Sequence, residues 1–233
     1  DKELCLIKQL ILPLFQSTQL NFENFYIGNN NLELVESLLE WLHSESPKVF
    51  YLWGDVATGK THLLNAALNQ CSGAAIYLPL KEFAKIEPRV FDNLERINIV
   101  ALDDIDTISG DHELEIKFFN LLNKVILSDG KLIITGRKHP NKQGFKLKDL
   151  VSRLCSGLLY RVSPLADETR KKALAFLAAK RGIKIKTNHV NYIMKHCKRD
   201  MTNLSLLIDK LDKVSLSEGK PISLNLIKKV TID

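Results

Sequence analysis

The chain carries Gly54-Asp55-Val56-Ala57-Thr58-Gly59-Lys60-Thr61, which fits the spacing G-x-x-x-x-G-K-[ST] at every fixed position. Two glycines, an ammonium and a hydroxyl so spaced suit one chemistry, the holding of a polyphosphate. Gly54 and Gly59 permit backbone angles and a close approach that a side chain would obstruct. The backbone through Ala57, Thr58 and His62 turns several N–H groups and a helix N-terminus toward one electropositive point. Lys60 would reach the β- and γ-phosphates, and the Thr61 hydroxyl would hold Mg²⁺. A second run, Ile97-Asn98-Ile99-Val100-Ala101-Leu102-Asp103-Asp104, is apolar and ends in two carboxylates. Asp103 is expected to bind Mg²⁺ through water and Asp104 to polarise an attacking water.

These groups need a scaffold that brings strand ends together. Val49 to Trp53 reads as a buried strand, and residues 61–68 open a helix without Gly or Pro. Further strands are expected at 74–78, 131–136 and 158–162, and helices at 32–43, 80–86, 90–96 and 147–154. Residues 113–128 form an amphipathic helix with Ile116, Phe119, Leu122, Val125 and Ile126 on one side. Pro164 marks a boundary, followed by helices at 167–181, 189–196, 202–214 and 224–230. The pattern predicts an α/β domain with a parallel sheet flanked by helices, plus a small C-terminal helical domain. The expected division is an arm over 1–20, a nucleotide-binding domain over 21–163 and a helical lid over 164–233. Ahead of the glycine loop, Phe25, Tyr26 and Ile27 either wall an adenine ring or pack in the core. Periodicity does not choose between these.

The 233 residues are 45% hydrophobic and 26% charged, ordinary for a globular protein. The net charge of +6 is uneven: from Leu165 onward 15 Lys+Arg face 7 Asp+Glu, so that part is +8 and the remainder −2. A basic C-terminal third suits non-specific contact with DNA or an acidic partner, and equally suits solvated helix faces. Cys5, Cys71, Cys155 and Cys197 are scattered without a C-x-x-C pair. That favours reduced thiols in the cytoplasm, and it argues against zinc. No apolar run reaches membrane-spanning length. The segment LCLIKQLILPLF is interrupted by Lys8 and Gln9 and has no small-residue cleavage site, unlike a signal peptide. The chain opens on Asp1 rather than Met, so a few native residues are expected before it.

Within that opening, Gln9-Leu10-Ile11-Leu12-Pro13-Leu14-Phe15 resembles the short peptide by which bacterial replication proteins dock on the sliding clamp, the DNA polymerase III β subunit. Gln9 supplies an amide, while Leu10, Leu12, Pro13, Leu14 and Phe15 present an apolar surface suited to a groove. The alternative is an arm packed on its own domain.

Taken together, the glycine loop, the paired aspartates, a sensor strand and a helical lid resemble the AAA+ architecture. The wording is closer still to the DnaA family, and to its short Hda-type branch. FENFYIGNNN is similar to the family's F-x-N-F-x-x-G-x-x-N, and SRLCSGLLYRVSPLADETRKKAL to its S-R-F…P-x-x-E-T-R segment. The clamp-like peptide and the absence of the C-terminal helix-turn-helix of DnaA both point to the short branch.

The resemblance implies adenine-side contacts at Phe22, Phe25 and Ile27, a γ-phosphate sensor at Thr135 and an arginine finger at Arg153. It implies a regulator of replication initiation, holding ADP or ATP with Mg²⁺, docked on the clamp. Its partner is DnaA, on which it promotes ATP hydrolysis so that re-initiation is prevented. Oligomeric state, including a homo-oligomer, stays open. Two departures stand out: Thr202 occupies the sensor 2 arginine position, and Arg137 stands where relatives carry aspartate. Both argue against efficient turnover of its own ATP. A self-hydrolysing AAA+ ATPase serving as helicase loader or DNA-binding initiator is the rival reading. For Arg153, the rival is a same-helix ion pair with Asp149.

Overall fold

Five apolar runs rich in β-branched and aromatic residues form the strands of one sheet. They are β1 (Val49–Trp53), β2 (Ala75–Pro79), β3 (Ile99–Asp103), β4 (Lys131–Gly136) and β5 (Leu158–Arg161). The computed structural model describes residues 20–83, 88–219 and 221–232. All strand pairs are parallel, in the order β2-β3-β4-β1-β5. Such a sheet is covered on both faces, which is why its strands read as continuous apolar runs.

Strand alternation sends Phe50, Leu52, Ile99, Ala101 and Ile133 to one face, with α1 (Leu32–His43) and α2 (Lys60–Asn69). Tyr51, Val100, Leu102, Leu132 and Ile134 point to the other. The short α3 (Leu80–Phe83) follows β2. On that second face, α4 (His112–Ile126) contributes Leu114, Phe118, Leu121, Leu122 and Val125, and α5 (Lys148–Cys155) contributes Leu150 and Leu154. Buried Lys131 donates from Nζ to the carbonyls of Trp41 and Leu42, satisfying acceptors that the end of α1 leaves open. Burial, then Lys48, pulls its ammonium below the ordinary lysine range.

Several boundaries differ from the sequence expectation for local reasons. Residues 90–96 are not one α-helix but belong to two 3₁₀ turns, Pro88–Phe91 and Leu94–Arg96. Asn93 between them is left-handed at φ 63°, a conformation that interrupts a right-handed helix. Expected helix 80–86 is seen as α3 to Phe83, and residues 84–87 lie outside the described ones. On α4 the expected Leu122 and Val125 are buried and Phe119 and Ile126 pack against the core, but Ile116 is exposed, and Leu114, Phe118 and Leu121 face the core as well.

By Cα packing the chain forms two compact units. One holds the described residues up to Phe25, Glu33–Gly54 and Lys60–Val162; the other holds Tyr26–Leu32, Asp55–Gly59 and the described residues from Ser163 onward. The second unit is built of α6 (Asp167–Lys180), α7 (Thr187–His196), α8 (Met201–Glu218) and α9 (Leu224–Ile232). Its core comprises Leu174, Ile193, Leu204, Ile208, Leu211 and Ile227 among others. Helix α8 runs four residues past the expected end at 214 and stops where Gly219 takes φ 63°. Among the described residues, no helix is long and apolar enough to cross a membrane.

Candidate functional site

Parallel register alone brings the predicted groups to one sheet edge. Trp53 pairs with Gly136, Leu102 with Ile134, and Pro79 with Asp103, so β1, β3 and β4 end side by side. Asp103 lies two residues beyond Ala101, and Thr135 two beyond Ile133, so both face α2. There the buried Asp103 carboxylate accepts three hydroxyl hydrogen bonds. Thr61 Oγ1 donates to Oδ2 at 2.7 Å, Tyr77 Oη donates to Oδ2 at 2.8 Å, and Thr135 Oγ1 donates to Oδ1. Thr135 in turn accepts the Asp104 N–H at 2.9 Å. One carboxylate thus joins the first turn of α2 to β2, β3 and β4. Tyr77 is the member that sequence reading missed.

The glycine loop has the backbone its composition implies. Gly54 and Gly59 take φ of 153° and 99°, and Ala57 between them is left-handed at φ 59°. A side chain at positive φ is strained, so the loop geometry is imposed on Ala57 rather than preferred by it. Thr58 Oγ1 donates to the Asp55 carbonyl at 3.0 Å. Lys60, buried, donates from Nζ to the Gly54 carbonyl at 2.8 Å. Its ammonium is therefore held against the start of the loop that precedes it.

Asp104 ends β3 in a left-handed conformation, φ 58°. Burial first, then the Asp103 and Asp106 carboxylates, push its carboxyl above the usual carboxylate range, while Lys60 and Arg137 oppose the shift. Arg137 is engaged with Asp106, Nε to Oδ2 at 3.2 Å.

The aromatic segment divides. Phe22 and Phe25 pack against the α1/α2 face of the core, and Phe25 meets the His62 ring edge-on at 5.2 Å. His62 Nε2–H donates to the Asn21 carbonyl at 2.8 Å, and burial holds this imidazole below its ordinary pKa. Tyr26 instead meets Phe176 edge-on at 5.6 Å, and Ile27 is exposed. Phe22 and Phe25 thus pack against the core of the sheet domain, and Tyr26 belongs to the helical unit.

Arg153 lies exposed on α5, and so does Asp149. Among the described residues no ion pair joins them, so the same-helix bridge is not formed; Arg137, Arg170, Arg181 and Arg199 are the paired arginines. Thr202 is exposed in the first turn of α8, and Arg199 pairs with Asp167 at 2.9 Å. Cys71, Cys155 and Cys197 are free thiols, the latter two raised above the ordinary range by burial. Gln9, Leu10, Leu12, Pro13, Leu14 and Phe15 lie outside the described residues.

Comparison with known proteins agrees with this architecture. Residues 16–161 match the bacterial DnaA ATPase domain, and residues 167–231 match the Hda lid domain. An uncharacterized protein of Haemophilus influenzae is 38% identical over 228 residues, covering 96% of this chain and 98% of that protein. Domain III of the Thermotoga maritima replication initiation protein DnaA superposes with a TM-score of 0.76 at 22% identity, covering 91% of this chain and 95% of that one. AMPPCP-bound DnaA from Aquifex aeolicus gives 0.73 at 26% identity, over 88% of this chain and 68% of that one. The fold is an AAA+ α/β domain with a C-terminal helical lid.

Proposed function

This chain belongs to the DnaA family of AAA+ proteins, with an Hda lid, and on that premise we propose that it is a nucleotide-bound regulator of replication initiation acting on DnaA. It docks on the DNA-loaded sliding clamp through Gln9–Phe15 and promotes hydrolysis of the ATP bound to DnaA, which prevents re-initiation. Residues 21–163 hold the nucleotide, residues 164–233 form the lid, and residues 1–20 form the docking arm.

The observation that carries this reading is Arg153, exposed on α5 and joined to no acidic partner among the described residues. A guanidinium stays charged and offers several donors, so it can stabilise phosphoryl charge on a neighbouring protein. An arginine supplied in this way is worth roughly 10³–10⁵ in rate in GTPases, about 4–7 kcal/mol of barrier. The exposed pair with Asp149 would have contributed only about 0.3–0.5 kcal/mol.

The chain's own nucleotide is ADP or ATP, held by the loop from Gly54 to Thr61. A hydroxyl and a carboxylate oxygen 2.7 Å apart, beside a buried ammonium, fit a magnesium-bound polyphosphate as a donor set. Mg²⁺ bound there would supply positive charge to neutralise that of the phosphates. Thr61 and Asp103 would hold it, and Lys60 would leave the Gly54 carbonyl for phosphate. With Thr202 at the sensor 2 position and Arg137 paired to Asp106, the bound nucleotide serves as a structural ligand more than a substrate. A self-hydrolysing helicase loader or initiator draws on Asp104, which occupies the place of a water-polarising carboxylate.

The test is a reconstitution with ATP-loaded DnaA, sliding clamp on DNA, and this chain with ADP. Hydrolysis of the DnaA-bound ATP should rise only when clamp and chain are both present, and should fall when residues 1–15 are deleted. Hydrolysis confined to this chain's own nucleotide would favour the rival reading.

A further inference from the structure

Glu115 is fully buried in the first turn of α4, yet no step of the proposed function uses it. Its carboxylate accepts four hydrogen bonds from main-chain N–H groups. Gly110 N–H donates to Oε1 at 2.7 Å, Lys146 N–H to Oε1 and Oε2 at 3.1 and 2.9 Å, and Leu147 N–H to Oε2 at 2.8 Å. Lys146 and Leu147 are the two residues that lead into α5, the helix of Arg153.

A helix leaves its first N–H groups without partners inside the helix, and a Ser, Thr, Asp or Asn at the N-cap normally supplies an acceptor. Here the N-cap residue is Leu147, whose side chain makes no capping bond. Glu115 reaches across from α4 and accepts the N–H groups of the N-cap and the residue before it. Its negative charge also sits at the positive end of the α5 dipole. Meanwhile Gly110, with φ 87°, lies just beyond the 3₁₀ turn Ile105–Ile108 that follows Asp104. One carboxylate therefore ties three places together: the segment after the paired aspartates, α4, and the start of the arginine-bearing helix. Leu150 and Leu154 fix the buried side of α5, and the carboxylate fixes its start.

We propose that Glu115 is a positioning residue for Arg153, setting the start of α5 so that the guanidinium is presented at a defined place to the neighbouring DnaA. The proposal rests on Arg153 being the finger in trans. Glutamine at 115 would set an amide NH₂ against N–H donors while preserving side-chain length, so Glu115→Gln tests the carboxylate itself.

The experiment is the reconstituted hydrolysis assay, titrated with ATP-loaded DnaA, using the full chain with ADP and clamp. Glu115→Gln is expected to lower the maximal stimulated rate at least tenfold, with the half-saturating DnaA concentration and the chain's own nucleotide affinity within twofold of wild type. A merely structural loss would move half-saturation and nucleotide affinity together with the rate, and that result would overturn the proposal, as would a wild-type maximal rate. Hydrogen exchange on the wild-type chain supplies a test that needs no variant. The Lys146 and Leu147 amides should exchange slowly, and exchange at exposed-loop rates would overturn the proposal. Arg153→Ala run in parallel separates the two ideas. If it abolishes stimulation while Glu115→Gln does not, only the positioning role fails; if it keeps stimulation, the finger fails and the positioning role with it.

Discussion

Ala57→Gly should stabilise this protein, against the usual direction for an alanine-to-glycine change. Ala57 sits in the glycine loop at φ 59°, where an L-residue with a Cβ is strained by about 1–2 kcal/mol. Glycine removes that strain but makes the unfolded chain more flexible, which costs about 0.4–1 kcal/mol. The net gain centres near 0.5–1 kcal/mol. For a chain of this length each kcal/mol moves the melting midpoint by roughly 2–4 °C, so the expected rise is about 1–4 °C. The neighbouring Val56 is the control, because it is exposed and is not among the residues at positive φ. Val56→Gly should lower the midpoint, since there glycine brings only the entropic cost. Thermal denaturation of the three proteins, followed by circular dichroism, decides the matter. A midpoint for Ala57→Gly at or below wild type would refute the claim that the loop geometry is imposed on Ala57.

Three further outcomes follow from the site. At Gly136 a Cβ would fall on the Tyr51 hydroxyl, which is buried and donates to the Lys138 carbonyl at 3.1 Å, so Gly136→Ala should destabilise by about 1–3 kcal/mol in thermal denaturation. For Asp104 the folded state raises the carboxyl's pKa, so its contribution to stability is harmless below the unfolded value and turns unfavourable as pH climbs through the folded one. Asp104→Asn should therefore raise the melting midpoint at neutral pH, and melting curves from pH 7 toward pH 4 should show that advantage shrinking. Tyr77→Phe deletes one of the three hydroxyls on Asp103. Calorimetric titration should find nucleotide affinity reduced several-fold in Mg²⁺ and unchanged in chelator.

The strands and the glycine loop were legible because each is set by its own residues: continuous apolar runs for a doubly covered sheet, and fixed glycines for a loop at positive φ. Asp103 and Thr135 could be placed together because parallel strands end at one edge. Tyr77 could not, because its hydroxyl reaches Asp103 from β2 across 26 positions of sequence, and nothing local marks a tyrosine for that bond. Glu115 was hidden for a similar reason. In sequence it is one more charge in the first turn of an amphipathic helix, and only packing shows that its acceptors serve the start of another helix. The error on α4 came from choosing Ile116 over Leu114 and Phe118, each two positions away along the helix. The end of α8 was placed at 214 and so missed, although Gly219, a left-handed cap that commonly stops a helix, marks it four residues later.

On the proposed function, Arg153 acts on the nucleotide of a neighbouring DnaA. The most direct test of this is the rate at which DnaA-bound ATP is hydrolysed with clamp-loaded DNA and either the wild-type chain or Arg153→Ala. Both proteins should bind ADP and clamp equally, since Arg153 is exposed on α5 and makes no ion pair among the described residues. The variant should lose the stimulation, by roughly 10³-fold or more if the arginine is worth what such fingers supply elsewhere. Stimulation by Arg153→Ala at the wild-type rate would contradict it.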